Sequence, residues 1–265
     1  TRRKQAEADL RASEERFRSL GCRVIRGHAR FTGKDSVDVN GIEVRARRFI
    51  LATGSRPAIP NIPGLAEVSY LTHETIFDLK ERPDHLVIIG GGPIGLEMAQ
   101  AFYHLGCAVT VLEATAFLAR ADRDAALLVV DTLSAQGIRL LAPVTIREVH
   151  TAQAKIAVAI SHGDGQTEMI EASHLLIAAG RQPRVDGLDL EVAGITTTAR
   201  GICVDAGLRT SNRRVYAIGD VTGGLQFTHM ANYHAGLVIR SALFRLPVRE
   251  RRSQVPWVTY TEPEL

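Results

Sequence analysis

The hydrophobic positions along the chain fall into two rhythms. In residues 1–20, Ala6, Leu10, Ser13, Phe17 and Leu20 recur among charges at helical spacing, and Gly21 stops the pattern, which predicts an amphipathic helix. Short strands are expected next, at Val24–Arg26, Val37–Val39, Ile42–Ala46 and Phe49–Ala52. Asn40-Gly41, between the second and third, is the strongest short-range hairpin signal. Thr53-Gly54 ends the fourth. Pro57, Pro60 and Pro63 then exclude a helix and predict a linker.

A different rhythm starts at Pro83. Leu86–Ile89 is wholly apolar, as a parallel strand buried on both faces requires. A glycine cluster follows, and then Ile94, Met98, Phe102 and Leu105 mark one face of a helix that Gly106 closes. Val109–Leu112 is the next strand, and Asp124–Gln136 a second helix stopped by Gly137. Ile156, Val158 and Ile160 alternate as a strand that turns at Gly163-Asp164-Gly165 into Thr167–Ile170. Leu175–Ala178 is another buried strand. From Gly187 to Arg214 the chain is polar and turn-rich, with one short strand at Ile202–Val204. Val215–Ile218 is again apolar and ends at Gly219-Asp220, ahead of a helix over about 229–244. A buried strand ending in a glycine turn thus recurs at Gly54, Gly90, Gly180 and Gly219.

Composition narrows the partners. The formal charge is +3 with a pI near 8.9, but acidic and basic residues interleave and no Lys/Arg stripe carries aromatics, so nucleic-acid binding is not expected. The basic runs Arg2–Lys4 and Arg249, Arg251 and Arg252 read as solvated surface. No apolar run approaches the roughly 20 residues a membrane span needs, and residues 1–20 are too charged for a secretory signal. Cys22, Cys107 and Cys203 share no metal or redox spacing and read as small buried hydrophobes in a reducing cytoplasm.

The chemistry is concentrated after the strand at 86–89. Gly90, Gly92 and Gly95 form G-x-G-x-x-G between an apolar strand and an amphipathic helix, the context that gives this string meaning. Gly90 permits the tight turn, Gly92 lets a pyrophosphate approach the backbone, and Gly95 lets the helix pack close to the sheet. Pro93 and Ile94 open the helix, whose free N–H groups and partial positive charge suit phosphates. Glu113 lies 18 residues beyond Gly95, at the end of the second strand. A carboxylate there accepts from a ribose 2′-OH and repels a 2′-phosphate, favouring NAD(H) over NADP(H); a plain surface glutamate is the alternative. Glu97, one turn into the helix, reads equally as structural or functional.

Four strings then occur together: Ala52-Thr53-Gly54-Ser55-Arg56-Pro57, Gly90–Glu97, Ala179-Gly180-Arg181-Gln182-Pro183 and Tyr216-Ala217-Ile218-Gly219-Asp220. In this order and spacing the chain resembles the pyridine nucleotide–disulfide oxidoreductases, the flavoproteins that include dihydrolipoamide dehydrogenase and mercuric reductase. Gly219–His229 followed by Val255-Pro256-Trp257 is most similar to the mercuric-reductase-like branch. The resemblance implies an α/β fold with two Rossmann-like dinucleotide-binding domains, the NAD domain inserted into an incomplete FAD domain. It places FAD-domain segments at 1–82 and 201–253, the NAD domain at 83–200, and the start of a dimerisation domain at 254–265.

By the same resemblance, Asp220 meets the FAD ribityl chain, the backbone of Thr228 the flavin, Ala29 the region of the adenine, and Thr53 and Gly54 the pyrophosphate. Val149 and Gly180 line the NAD site, Arg181 serves either cofactor region, and Glu97 is the catalytic candidate, pairing with a lysine beside the flavin. The family's own opening G-x-G-x-x-G, its C-x-x-x-x-C and that lysine are not found, nor is the closing His–Glu pair. The chain therefore reads as a piece truncated at both ends, lacking the redox cysteines and inactive alone. The complete protein is expected to be a homodimer with FAD and NADH as cofactors and a disulfide or other small molecule as substrate. The alternatives are a non-catalytic nucleotide-binding module, or a flavoprotein of the NADH oxidase or ferredoxin-reductase kind. His229 and His234, five residues apart on a helix, read as structural.

Overall fold

The computed structural model describes residues 2–251, 253 and 255–265, with side chains from residue 11 onward. The expectations at Ala6, Leu10, Arg2–Lys4 and Arg252 therefore lie outside the described side chains. The chain divides into two compact units: 1–54 with 183–250, and 55–182 with 251–265. The sequence-based boundaries at 82/83 and 200/201 fall elsewhere, for two reasons. Leu71–Thr72 joins the second unit's sheet as an edge strand, and Leu190, Ala193 and Ile195 are buried in the first unit's core.

The unit 55–182 is built on five parallel strands, in the order Leu71–Thr72, His174–Ile177, His85–Ile89, Ala108–Leu112 and Arg139–Leu141. The strand His85–Ile89 is central, and its alternation decides the packing. Leu86 and Ile88 face the helices α2 (Pro93–His104) and α3 (Arg123–Gln136), where they meet Leu96, Ala99, Val129 and Leu133. Val87 and Ile89 face the opposite way, against Val149, Val158, Ile160 and Ile170. Both faces being covered is why the strand is apolar from Leu86 to Ile89. The second cover is an antiparallel meander of Val144–Ala152, Lys155–His162 and Thr167–Ala172.

Local signals set the helix ends. The carboxylate of Asp122 accepts from the N–H groups of Asp124 and Ala125 at the start of α3, and Gly137 at φ +108° closes it. The Val144–Ala152 strand escapes the sequence pattern because a bulge lies between Ile146 and Glu148. Val144 and Val149 are both buried, yet the extra residue breaks the period of two between them.

The first unit holds α1 (Arg2–Ser19), the antiparallel strands Ala29–Phe31, Ser36–Val39 and Ile42–Arg45, and a parallel pair, Phe49–Leu51 with Val215–Ala217. Asn40-Gly41 forms the hairpin turn, both residues at positive φ. Val24–Arg26 is not a strand: it joins no sheet, and its Arg26 carbonyl accepts instead from Asn40 Nδ2 at 3.4 Å. The expected strand at 202–204 is only Gly201–Ile202, paired with Thr197–Thr198. Helix α4 (Thr228–Ala242) buries Met230, His234, Leu237 and Val238. Of the cysteines only Cys107 is buried; Cys22 is exposed and Cys203 intermediate, because Cys22 follows the end of α1 in irregular chain.

The sheet core yields a direct test. Ile88 is fully buried, so Ile88→Ala is expected to lower the unfolding free energy of this unit by about 2–5 kcal/mol. Leu128→Ala, at a position 66% exposed on α3, should change it by less than about 0.5 kcal/mol. Denaturant unfolding followed by circular dichroism compares the two, and equal effects would contradict the packing described.

Candidate functional site

The parallel sheet has one point where its strand order reverses. From His85–Ile89 the chain proceeds outward through Ala108–Leu112 to Arg139–Leu141, and then returns to the other side as His174–Ile177. In open α/β sheets ligands bind beyond the carboxyl ends of the strands at such a point. Gly90 and Gly180 lie there, following two adjacent strands. The separation of the two chain segments is fixed by contact. A β-carbon on Gly90 would stand 2.4 Å from the carbonyl oxygen of Ala178, so only glycine fits.

Helix α2 is equally close. A β-carbon on Gly95 would lie 1.9 Å from the carbonyl oxygen of Gly90. Gly92 differs: around its missing β-carbon nothing lies within 4 Å. Gly90 and Gly95 are thus demanded by the protein's own packing, whereas Gly92 borders open space. Gly92 is also the N-cap of α2, Pro93 follows at its first turn, and no side chain caps the helix. The N–H groups of Ile94 and Gly95 in that first turn suit an anion. Gly180, at φ +120°, is exposed and likewise has open space around it.

Glu113 follows the strand Ala108–Leu112 and bends back to this loop. Its Oε2 accepts from the Gly91 N–H at 2.8 Å, and its Oε1 from the N–H and hydroxyl of Thr115 at 2.9 and 3.0 Å. A carboxylate has about four acceptor positions, so three bonds leave room for one more donor. Glu113 is therefore a brace for the loop as well as a charge beside it. Phe117, buried beneath Gly91, was not foreseen; a β-carbon on Gly91 would meet its ring at 2.4 Å.

Other candidates in this unit are placed differently. Val149 is 1% exposed, packed in the core, with its N–H donating to the carbonyl of Pro63 at 2.9 Å. The Nε of Arg181 donates to the Ser55 hydroxyl at 2.7 Å, and its Nη1 to Nε2 of His73. Burial, and then the Arg181 charge, lower the pKa of His73 from 6.5. Glu97 sits half-buried on α2, where its Oε1 accepts from the Tyr260 N–H at 2.9 Å. Its neighbour one turn on, Gln100, binds the backbone of Glu262 through both amide atoms. Together they fasten segment 259–262 to α2, a role that helical spacing alone did not reveal. Burial raises the Glu97 carboxyl from its ordinary 4.5, and the Tyr260 bond opposes this.

The remaining candidates belong to the first unit. Thr53 Oγ1 donates to the Arg184 carbonyl at 2.7 Å, and the Gly54 carbonyl accepts the Arg184 N–H at 2.9 Å, with Gly54 at φ +70°. Asp220 lies in the short helical turn Gly219–Thr222 that follows Val215–Ala217. Thr228 is the exposed first residue of α4, whose N-terminus also has no side-chain cap. Ala29 is exposed in its strand, opposite Val39. His229 is exposed and stacks on Phe227, while His234 is buried.

A glycine-turn α/β sheet with an uncapped helix and a strand-end glutamate defines a protein of the nucleotide-binding α/β class. The profile of the pyridine nucleotide-disulphide oxidoreductases matches residues 6–235, and the chain belongs to that family. It is 39% identical to mercuric reductase of Bacillus cereus over 249 residues, covering 92% of this chain and 39% of the relative. It is 34% identical to dihydrolipoyl dehydrogenase of Cupriavidus necator, covering 94% and 54%. Among solved structures, the HOCl-induced flavoprotein disulfide reductase RclA from Escherichia coli superposes with a TM-score of 0.82 at 33% identity, over 91% of this chain and 56% of that one. LpdA from Mycobacterium tuberculosis gives 0.86 at 28% identity, over 98% and 59%. The chain thus spans roughly 39–59% of the length of these relatives.

The raised Glu97 carboxyl carries a pH signature. Its folded-state value lies above the unfolded one, so the group favours folding below the unfolded value and that contribution fades as pH rises through the folded one. Glu97→Gln keeps an oxygen for the Tyr260 N–H but removes the charge. It is expected to be more stable than the parent at pH 7, with the difference vanishing below about pH 4. Denaturant titrations at both pH values measure this, and a gain that persists in acid would contradict the burial account.

Proposed function

We propose that this chain forms the nucleotide-binding core of an FAD-dependent pyridine nucleotide–disulfide oxidoreductase, with NADH as the preferred reductant. One observation carries the reading furthest: Gly92 borders open space at an uncapped helix N-terminus, while its partner glycines are locked by packing. This is where a pyrophosphate would approach, held by the first N–H groups of α2. Glu113 would take a ribose hydroxyl with its remaining acceptor position, and its charge would repel a 2′-phosphate. Gly180 would leave the adjoining strand end open to the same ligand, with Arg181 beside it.

In this proposal the strands and α4 of 1–54 and 183–250 serve FAD, and the parallel sheet inserted between them in sequence serves NAD, two Rossmann-like domains in all. Asp220 would hold the ribityl hydroxyls, the Thr228 N–H the flavin edge, Gly54 the pyrophosphate, and Ala29 the adenine region. Glu97 would face a flavin-side lysine in the complete protein, competing there with its present bond to Tyr260. Hydride from reduced nicotinamide to FAD, and an electron pair onward to a disulfide or mercuric ion, is the chemistry these cofactors supply when bound. Residues 254–265 open a dimerisation segment in this reading, and the compartment is a reducing cytoplasm. The second reading is a nucleotide-binding module without catalysis.

The test is a titration of the purified chain with NADH and NADPH, followed by nicotinamide fluorescence, with a visible spectrum alongside. NADH is expected to bind at least roughly tenfold more tightly, a difference of about 1.4 kcal/mol, and Glu113→Gln should bring the two affinities together. Equal affinities in the parent chain would sink the role given to Glu113. A flavin spectrum bleached by NADH supports the oxidoreductase reading for this chain itself; nucleotide binding without flavin supports the module.

A further inference from the structure

The turn that carries Asp220 is held by a buried side-chain relay. The backbone N–H of Gly219 donates to Nδ1 of His234 at 3.0 Å, and the other ring nitrogen, Nε2, lies 2.9 Å from Oε1 of Glu250. The side chains are 2% and 7% exposed, so both polar groups sit out of water. The bonding fixes the ring: Nδ1 accepts, hence Nε2 carries the proton and donates to the carboxylate. Glu250 is itself tied down, its own N–H donating to the Ala206 carbonyl at 2.8 Å.

The turn depends on this arrangement. Gly219 stands at φ +68°, with Ala231 of α4 only 3.2 Å from where a β-carbon would be. Its carbonyl takes the Thr222 hydroxyl at 2.9 Å, and the Asp220 carbonyl takes the Gly223 N–H at 3.0 Å. The Gly219 N–H is thus satisfied by a ring on the neighbouring helix. Burying a carboxylate and an imidazole is unfavourable unless both are bonded, and here the carboxylate selects the tautomer that accepts from the turn, as outer partners orient catalytic or metal-binding histidines.

We propose that His234, oriented by Glu250, is a positioning residue that sets the Gly219–Asp220 turn, and through it the presentation of Asp220. The consequence for FAD rests on the ribityl role proposed for Asp220; the positioning itself does not. Two substitutions separate the ring's two bonds. His234→Asn keeps an oxygen near the Nδ1 position and drops the link to Glu250, while His234→Gln reaches Glu250 but abandons Gly219.

The experiment is nitrogen-15 NMR on the full chain, with FAD and NADH titrations of the same samples. In the parent, a coupling across the hydrogen bond between Gly219 N and His234 Nδ1 is expected, with the proton on Nε2. His234→Gln should shift the Gly219, Asp220 and Thr222 amides and weaken FAD roughly tenfold, leaving NADH affinity unchanged. His234→Asn should restore both readouts toward the parent. A parent chain lacking the coupling, or His234→Gln amides that do not move, would overturn the proposal, and the first needs no variant to fold. A parent chain that shows the coupling yet binds no FAD would fail the cofactor reading alone.

Discussion

The unit that carries the glycine loop depends on one close approach. Helix α2 comes so near the strand end before it that a β-carbon at Gly95 would sit 1.9 Å from the Gly90 carbonyl. Gly90 in turn lies against the backbone of Ala178, at the end of the neighbouring strand. These contacts bring two strand ends and a helix N-terminus together without side chains between them. What they leave open beside the loop is the first turn of α2, whose N–H groups have no side-chain cap. The same closeness lets Leu96 and Ala99 reach Leu86 and Ile88, so the approach that opens the site also closes the core.

The meander on the other face completes the burial and constrains the loops. A β-carbon on Gly64 would stand 2.0 Å from the Val149 carbonyl, and Pro63 accepts the Val149 N–H. The proline-rich stretch after Gly54 is thus a strap laid on the sheet cover. Residues that looked like a linker therefore belong with the parallel sheet, and the compact unit begins at Ser55.

Much of this was legible in the sequence, and its limits have physical causes. Leu86–Ile89 and Val109–Leu112 stood out because strands covered on both faces are almost wholly apolar, the one buried hydroxyl, Thr110, being bonded to Nε2 of His85 at 2.9 Å. The hairpin at Asn40-Gly41 was visible because that turn demands positive φ at two successive positions. Val144–Ala152 was missed because a bulge shifts the inward face from Ile146 to Val149. Leu190, Ala193 and Ile195 were hidden in a polar, turn-rich segment whose few apolar residues all reach one core. In the site, glycine spacing identified the loop, but the bond from Gly91 to Glu113 and the seat of Phe117 depend on chain folding. Pattern reading placed Glu97 and Gln100 on a helix without showing that both hold segment 259–262.

His234 shows the same limit most clearly, because helical position rightly kept it from pairing with His229 while giving no hint of its partners. Two glycine turns in the chain solve one problem with related chemistry. After the strand His85–Ile89, the N–H of Gly91 is taken by the carboxylate of Glu113, which reaches it directly. After the strand Val215–Ala217, the N–H of Gly219 is taken by an imidazole, with a carboxylate one bond further out. In each case a backbone donor at a strand end is held by a side chain arriving from another element, with a carboxylate either bonded to it directly or one ring further out. A direct carboxylate leaves net negative charge beside the loop. Interposing a neutral ring keeps that charge one imidazole away from Asp220, so the turn is fixed without setting a second carboxylate against the first.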